Sequence, residues 1–365
     1  MMKGMEVAWR TLNLERVEYP CLAGAWIMKA EFFSRLTGRD FMSAREDVAL
    51  ETFRRLGINL CPQFALPAAP GEARTGTHAA VKKQLDDTLA AWKSPEQVKE
   101  AIEKLPDPQT LHKNFNLEKS ADAYAANIKY YRDKTGDDIL WITGFGQADF
   151  MGGFNRWGYK NYLEAMVLYP DHMKRYYDYS GENAYLYNLG VVEAVKRHGL
   201  APFVYGGQDI CFNDGPMCSP LLLRKIYFSA LKRAVQPLVE NGIGIIWHCD
   251  GNILPIREDL LDLGVAGFQG FQEENGVKLE KMAAIRTKAG KKPILWGSVS
   301  VTTTLPFGSV ADVKRDVERC FRVAAPGGGF GLASTSSILP ETPDENILAL
   351  YQYGKEFGRK FLGNL

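Results

Sequence analysis

The chain has 365 residues, 46% hydrophobic and 24% charged, the make-up of an ordinary globular protein with ample apolar material for a core. Lys and Arg number 44 against 43 Asp and Glu, and the net charge of +1 excludes a protein that holds nucleic acid or an anionic membrane by bulk electrostatics. No apolar run reaches the length of a membrane span, no secretory leader opens the sequence, and the six cysteines form no CxxC pair, so a cytoplasmic monomer or homodimer with reduced thiols is expected.

In chain order, CLAGAWI (21–27) and INLCPQF (58–64) read as the first two strands. Between them Ser43–Leu56 has a helical pattern that begins at a plausible serine cap. Residues 65–137 break the rhythm: the loop PAAPGEARTGTH is followed by polar helices over His78–Trp92 and Pro95–Leu105. This segment reads as a helical insertion covering one end of the fold. From residue 138 short apolar runs alternate with longer amphipathic ones. The runs DILWITG, PFVYGGQD, IGIIWHCD, AGFQGFQ, PILWGSVS and GGFGLAST have the composition of buried parallel strands. The stretches Pro170–His198, Ser219–Glu240, Ile253–Leu263, Lys278–Lys288, Val310–Val323 and Pro343–Phe361 have helical patterns. Eight strands alternating with helices predict one (β/α)8 TIM barrel domain over residues 1–365. A doubly wound sheet is the alternative, but it normally carries a Gly-rich phosphate loop after its first strand, and none follows here.

In a parallel barrel the chemistry sits where strands end. His248 is the one histidine of five at such a position. Strand alternation puts His248 and Asp250 on one side and turns Cys249 away. With Glu273 or Glu274 on the next strand they can ligate Zn²⁺; without metal, His248 is a hydrogen-bonded residue lining a pocket. Gln208 and Asp209 end another strand, and Asp209 is placed to orient a substrate hydroxyl or act as a general acid. Asp214-Gly215 reads as a turn and Ser219-Pro220 as a helix start. The rings of Phe145, Phe150, Phe154 and Trp157 either wall a pocket for a flat aromatic ligand or pack on one another.

Five segments carry a family resemblance: LTGRD (36–40), GGQDICFNDGPMCSP (206–220), HCDGNI (248–253), LPFGSVADVKRDV (305–317) and ILPETPDENI (338–347). They resemble the uroporphyrinogen decarboxylase superfamily, which includes corrinoid-dependent methyltransferases, and the resemblance implies a (β/α)8 barrel. Decarboxylases of the superfamily carry an Arg-rich motif of the type RQAGRYLPEY. Here residues 25–37 read AWIMKAEFFSRLT, with only Lys29 and Arg35 as cations. The methyltransferase branch carries HxCG and a later Cys that bind zinc. On that pattern His248 falls on the histidine, Asp250 on the first cysteine and Ser336 on the second, so oxygen groups replace both thiolates.

The resemblance therefore implies an O-demethylase component that moves a methyl group from a small methoxylated substrate, of the phenyl methyl ether type, to the Co(I) corrinoid of a partner protein. His248, Asp209, Asp250 and Glu273 would serve as catalytic groups; Phe145, Phe150, Phe154, Trp157, Gln208 and Ser336 would bind substrate. Any zinc would sit on His248, Asp250, Glu273 and Glu274. The alternatives within the same fold are a tetrapyrrole decarboxylase and a non-catalytic corrinoid or tetrapyrrole binder.

Overall fold

The computed structural model describes residues 2–24, 26–68 and 91–365. Eight short parallel strands follow one another in chain order: β1 (Cys21–Leu22), β2 (Leu60–Cys61), β3 (Leu140–Trp141), β4 (Phe203–Gly207), β5 (Gly244–His248), β6 (Val265–Gln269), β7 (Ile294–Val299) and β8 (Phe330–Ser334). β4 through β8 pair in succession and β8 pairs with β1, while β2 pairs with β3. Two further contacts complete the ring. Ala23 bridges to Leu60, and the Tyr205 N–H donates to the Thr143 carbonyl at 3.1 Å. The architecture is the (β/α)8 barrel that the alternation predicts.

Side-chain alternation divides the core in two. Cys21, Ala23, Leu60, Leu140, Ile142, Phe203, Tyr205, Ile246, Ile294, Trp296 and Ala333 fill the barrel. Their neighbours Leu22, Trp141, Val204, Ile245, Trp247, Phe268, Leu295 and Leu332 point outward into the layer beneath the helices. The helix Gly4–Leu12 adds Ala8 and Leu12 to the inner cluster, so it plugs the N-terminal end of the barrel and leaves the other end open.

Helix Pro170–His198 has the bounds that its sequence pattern predicts. Elsewhere the boundaries move. The Ser219–Glu240 pattern divides into Pro220–Ile226 and Phe228–Glu240. The helix expected over Ser43–Leu56 begins at Arg45, because the Ser43 hydroxyl donates back to the Asp40 carbonyl and does not cap. The expected helix over 78–92 falls almost wholly outside the described residues. Within 65–137 the structure has helices Pro95–Glu103 and Leu117–Thr135, the second of which the sequence reading missed. Among the described residues no helix is long and apolar enough to cross a membrane.

Glu182, midway along helix Pro170–His198, ties the segment 108–114 to the barrel's helical layer. Its buried carboxylate takes two 2.8 Å bonds from Arg233 and one of 2.7 Å from His112. Arg233's hydrogen bonds, then His112, hold the Glu182 carboxyl below the usual range against an opposing burial effect. A carboxyl depressed in the fold contributes stability above its unfolded pKa of about 4.3, and that contribution is lost as pH falls through the folded value. The urea midpoint of Glu182→Gln should therefore lie below wild type at neutral pH, with the gap closing below about pH 4. A gap independent of pH would show that shape, not charge, makes the tie.

Candidate active site at the barrel mouth

Three inward positions meet at the C-terminal ends of β4, β5 and β6: Tyr205, His248 and Gln269. His248 pairs in register with Gly207 on one side and Gln269 on the other. Two glycines pack against the histidine. A Cβ on Gly207 would stand 1.6 Å from the His248 carbonyl oxygen, and one on Gly270, where φ is +93°, would stand 2.8 Å from Nδ1. Only glycine fits at either place.

The chain then turns so that two carboxylates face the imidazole. Asp209 follows β4, and its Oδ1 lies 3.8 Å from His248 Nε2. The same oxygen accepts the Asp250 backbone N–H at 3.1 Å, which joins the two loops. Ser336, after β8, donates from Oγ to Asp250 Oδ2 at 3.3 Å. Asp250 Oδ1 is shut off from solvent without a hydrogen-bond partner. Burial raises the Asp250 carboxyl above its ordinary pKa, with Asp209 and Glu274 acting in the same sense and His248 and Ser336 opposing. Cys249 points the other way, buried in the outer layer.

Beside this cluster lies a cavity of about 440 Å³. Trp26 and Tyr205, ring centroids 5.4 Å apart, form an aromatic wall. Gln63, Thr143, Gln147, Ser336 and Ser337 supply neutral polar groups, and no Lys or Arg is among the described lining residues. With its amide turned end for end, Gln147 can pair with both backbone groups of Gly207 at 3.2 Å.

One donor atom each from Asp209, His248 and Asp250 lie within 4.8 Å of one another. The set fits a divalent cation: one nitrogen, carboxylate oxygens, and a buried oxygen that lacks any other partner. The expected ligands Glu273 and Glu274 do not belong to it. Glu273 is held by Arg319 at 2.6 Å and by the Ser298 hydroxyl, and Glu274 accepts from the Thr302 hydroxyl. An arginine 46 residues downstream captures the carboxylate that strand-end position alone had assigned to metal and catalysis. Asp209 takes its place.

Of the residues expected to bind substrate, Ser336 lines the cavity, and the other five do not. Gln208 Oε1 accepts the N–H groups of Phe150 and Met151, at 3.1 and 2.8 Å, and so caps a helix. That helix is Phe150–Trp157, where a loop was expected. Phe150 is fully buried, packed against Tyr162, Tyr177 and Tyr227. Trp157 packs on Tyr176, with ring centroids 4.8 Å apart, and Phe154 on Tyr159 and Tyr162. Phe145 lies under Gly206 against Trp247. None of the four lines the cavity. Its aromatic wall, Trp26 and Tyr205, was missed by the sequence reading, as was Gln269.

Fold and site together define a (β/α)8 barrel with a His/Asp centre at its strand ends. The uroporphyrinogen decarboxylase (URO-D) family model matches residues 90–357, and the chain belongs to that family. Among solved structures it is similar to a methyltransferase from Methanosarcina mazei, with a TM-score of 0.63 over 98% of this chain and 99% of that one. At 19% identity that likeness is one of fold. No curated protein matches the chain.

Two measurements check these placements. Titration with Zn²⁺ or Mn²⁺ should show affinity lowered by about tenfold or more in Asp209→Ala and in Asp250→Ala, and unchanged in Glu273→Gln. Weakening by Glu273→Gln alone would restore the first ligand set. Phe150→Ala should lose about 3–5 kcal/mol of stability in denaturant unfolding, the cost of an emptied aromatic core site. A stable Phe150→Ala protein with altered ligand selectivity would return Phe150 to the cavity wall.

Proposed function

We propose that the chain is a methyltransferase that takes a methyl group from a small methoxylated donor, of the phenyl methyl ether type, and passes it to the Co(I) corrinoid of a partner protein. The observation that carries this reading is the meeting of His248, Asp209 and Asp250 beside a cavity with an aromatic wall and no cation among its described lining residues. Membership of the family and the fold shared with a methyltransferase support it. A tetrapyrrole decarboxylase must grip a ring of substrate carboxylates, and the described lining residues offer them no positive partner.

In the proposed reaction Co(I) is the nucleophile and attacks the methyl carbon. The C–O bond breaks with its electron pair going to oxygen, the oxygen takes one proton, and the cobalt departs as methyl-Co(III). An aryl oxide leaves poorly unless its developing charge is met. Asp250, whose carboxyl burial holds toward the protonated form, is placed to give up that proton. Asp209 and His248 lie against Asp250, where their oxygen and nitrogen atoms converge. A divalent cation held by these three residues would supply Lewis acidity there. Trp26 and Tyr205 offer flat apolar surface to an arene.

Incubation of the purified protein with guaiacol and cob(I)alamin should produce methyl-Co(III), read from its absorption spectrum, together with catechol. His248→Ala should lower the rate by about a hundredfold or more. Release of CO₂ from uroporphyrinogen without methyl transfer would replace this reading by the decarboxylase. Tight corrinoid binding without turnover of either substrate would replace it by a binder.

A further inference from the structure

We propose that Gln269 is the positioning residue of the site: it holds neutral His248 in the Nδ1–H tautomer and so presents an unprotonated Nε2 to the two aspartates. The amide of Gln269 is buried inside the barrel and meets four partners. Its Nε2 donates to the carbonyls of Ser334 and Thr335, at 3.3 and 2.8 Å. Its Oε1 faces the Tyr205 hydroxyl at 2.8 Å and His248 Nδ1 at 2.6 Å.

This arrangement allows one assignment of hydrogens. A backbone carbonyl cannot donate, so the amide must turn its NH₂ toward Ser334 and Thr335. The amide oxygen is then fixed toward Tyr205 and His248, and an amide oxygen cannot donate either. Both of its partners must supply a hydrogen: the hydroxyl from Tyr205 and the Nδ1–H from His248. In neutral imidazole a proton on Nδ1 leaves the other nitrogen as a lone pair. That nitrogen is the one that lies 3.8 Å from Asp209.

The lock draws on four strands. β8 carbonyls orient an amide on β6, the amide orients an imidazole on β5, and Tyr205 on β4 completes the amide's acceptor side. In water the neutral histidine ring favours the opposite tautomer, with hydrogen on Nε2. A hydrogen there would point at the carboxylates and block the spot where a metal ion or an acidic hydrogen of a ligand must sit. Gln269 thus acts through His248 and touches no ligand itself. The lock matters to catalysis only if His248, Asp209 and Asp250 form the reacting site proposed above, but the lock itself is testable without any methyl donor.

Nitrogen-15 correlation spectra of the imidazoles, recorded at a pH where the rings are neutral, distinguish the two tautomers. The chain has only five histidines, and the His248 signals are those missing from His248→Gln. The wild-type spectrum should show Nδ1 as the protonated, pyrrole-like nitrogen and Nε2 as the pyridine-like one. In Gln269→Leu the hydrogen should move toward Nε2, and affinity for Zn²⁺ or Mn²⁺ should fall by about 10–100-fold, the scale for losing the group that orients a metal-binding histidine. Tyr205→Phe removes the other donor to the amide and should leave the Nδ1–H tautomer in place. If circular dichroism shows that Gln269→Leu does not fold, the wild-type and Tyr205→Phe spectra decide. An Nε2–H ring in either, or an unchanged Nδ1–H ring in folded Gln269→Leu, overturns the proposal.

Discussion

The site depends on the register of parallel strands, because alternation along each strand decides which side chains share the barrel's interior. On β5 the residues Gly244, Ile246 and His248 face in while Ile245 and Trp247 face out. A slip of one residue would send Trp247 and Cys249 inward and expose the histidine to the helical layer. Trp247 resists that slip. It is 1% exposed in the outer core, and burying such a ring stabilises the observed register by about 2–3 kcal/mol or more relative to exposure. Apolar packing outside the barrel therefore holds a polar group inside it.

Charge at the mouth is divided as well. Asp209 and Asp250 lie near one imidazole, without a cationic side chain among the described residues of the adjoining wall. Glu273, one loop away, is drawn into a separate network with Arg319, which also pairs with Asp316 and Glu280. That network fastens the loop after β6 to the helix Val310–Ala324. The two acidic groups thus do different work: one pair is left available to a ligand, the other carboxylate is spent on holding a loop.

The barrel was legible in the sequence because six of its strands are apolar runs bounded by Gly or Pro, and because alternation predicted that His248 and Asp250 would share a side. The rest was hidden for physical reasons. Helix Leu117–Thr135 buries a sparse stripe of Ala121, Tyr124, Ala125 and Ile128, too few large apolar residues to show a strong period. Gln269 is a lone amide in an apolar strand, and only its register with His248 reveals a role. Glu273 looked like a site residue because nothing local discloses an arginine far along the chain. The aromatic segment from Phe145 looked like a pocket wall because its glycines suggested a loop; Asp149 and Gln208 cap those N–H groups and make it a helix.

The two glycines beside His248 bear on how the protein meets a ligand. Gly207 lies against the main-chain carbonyl of His248 and Gly270 against one edge of its ring, while Gln269 holds Nδ1. A ring held at one edge and at one nitrogen presents its other nitrogen in a set direction. A ligand entering the cavity would therefore have to come to the ring, and the depth to which it inserts would decide whether it touches His248.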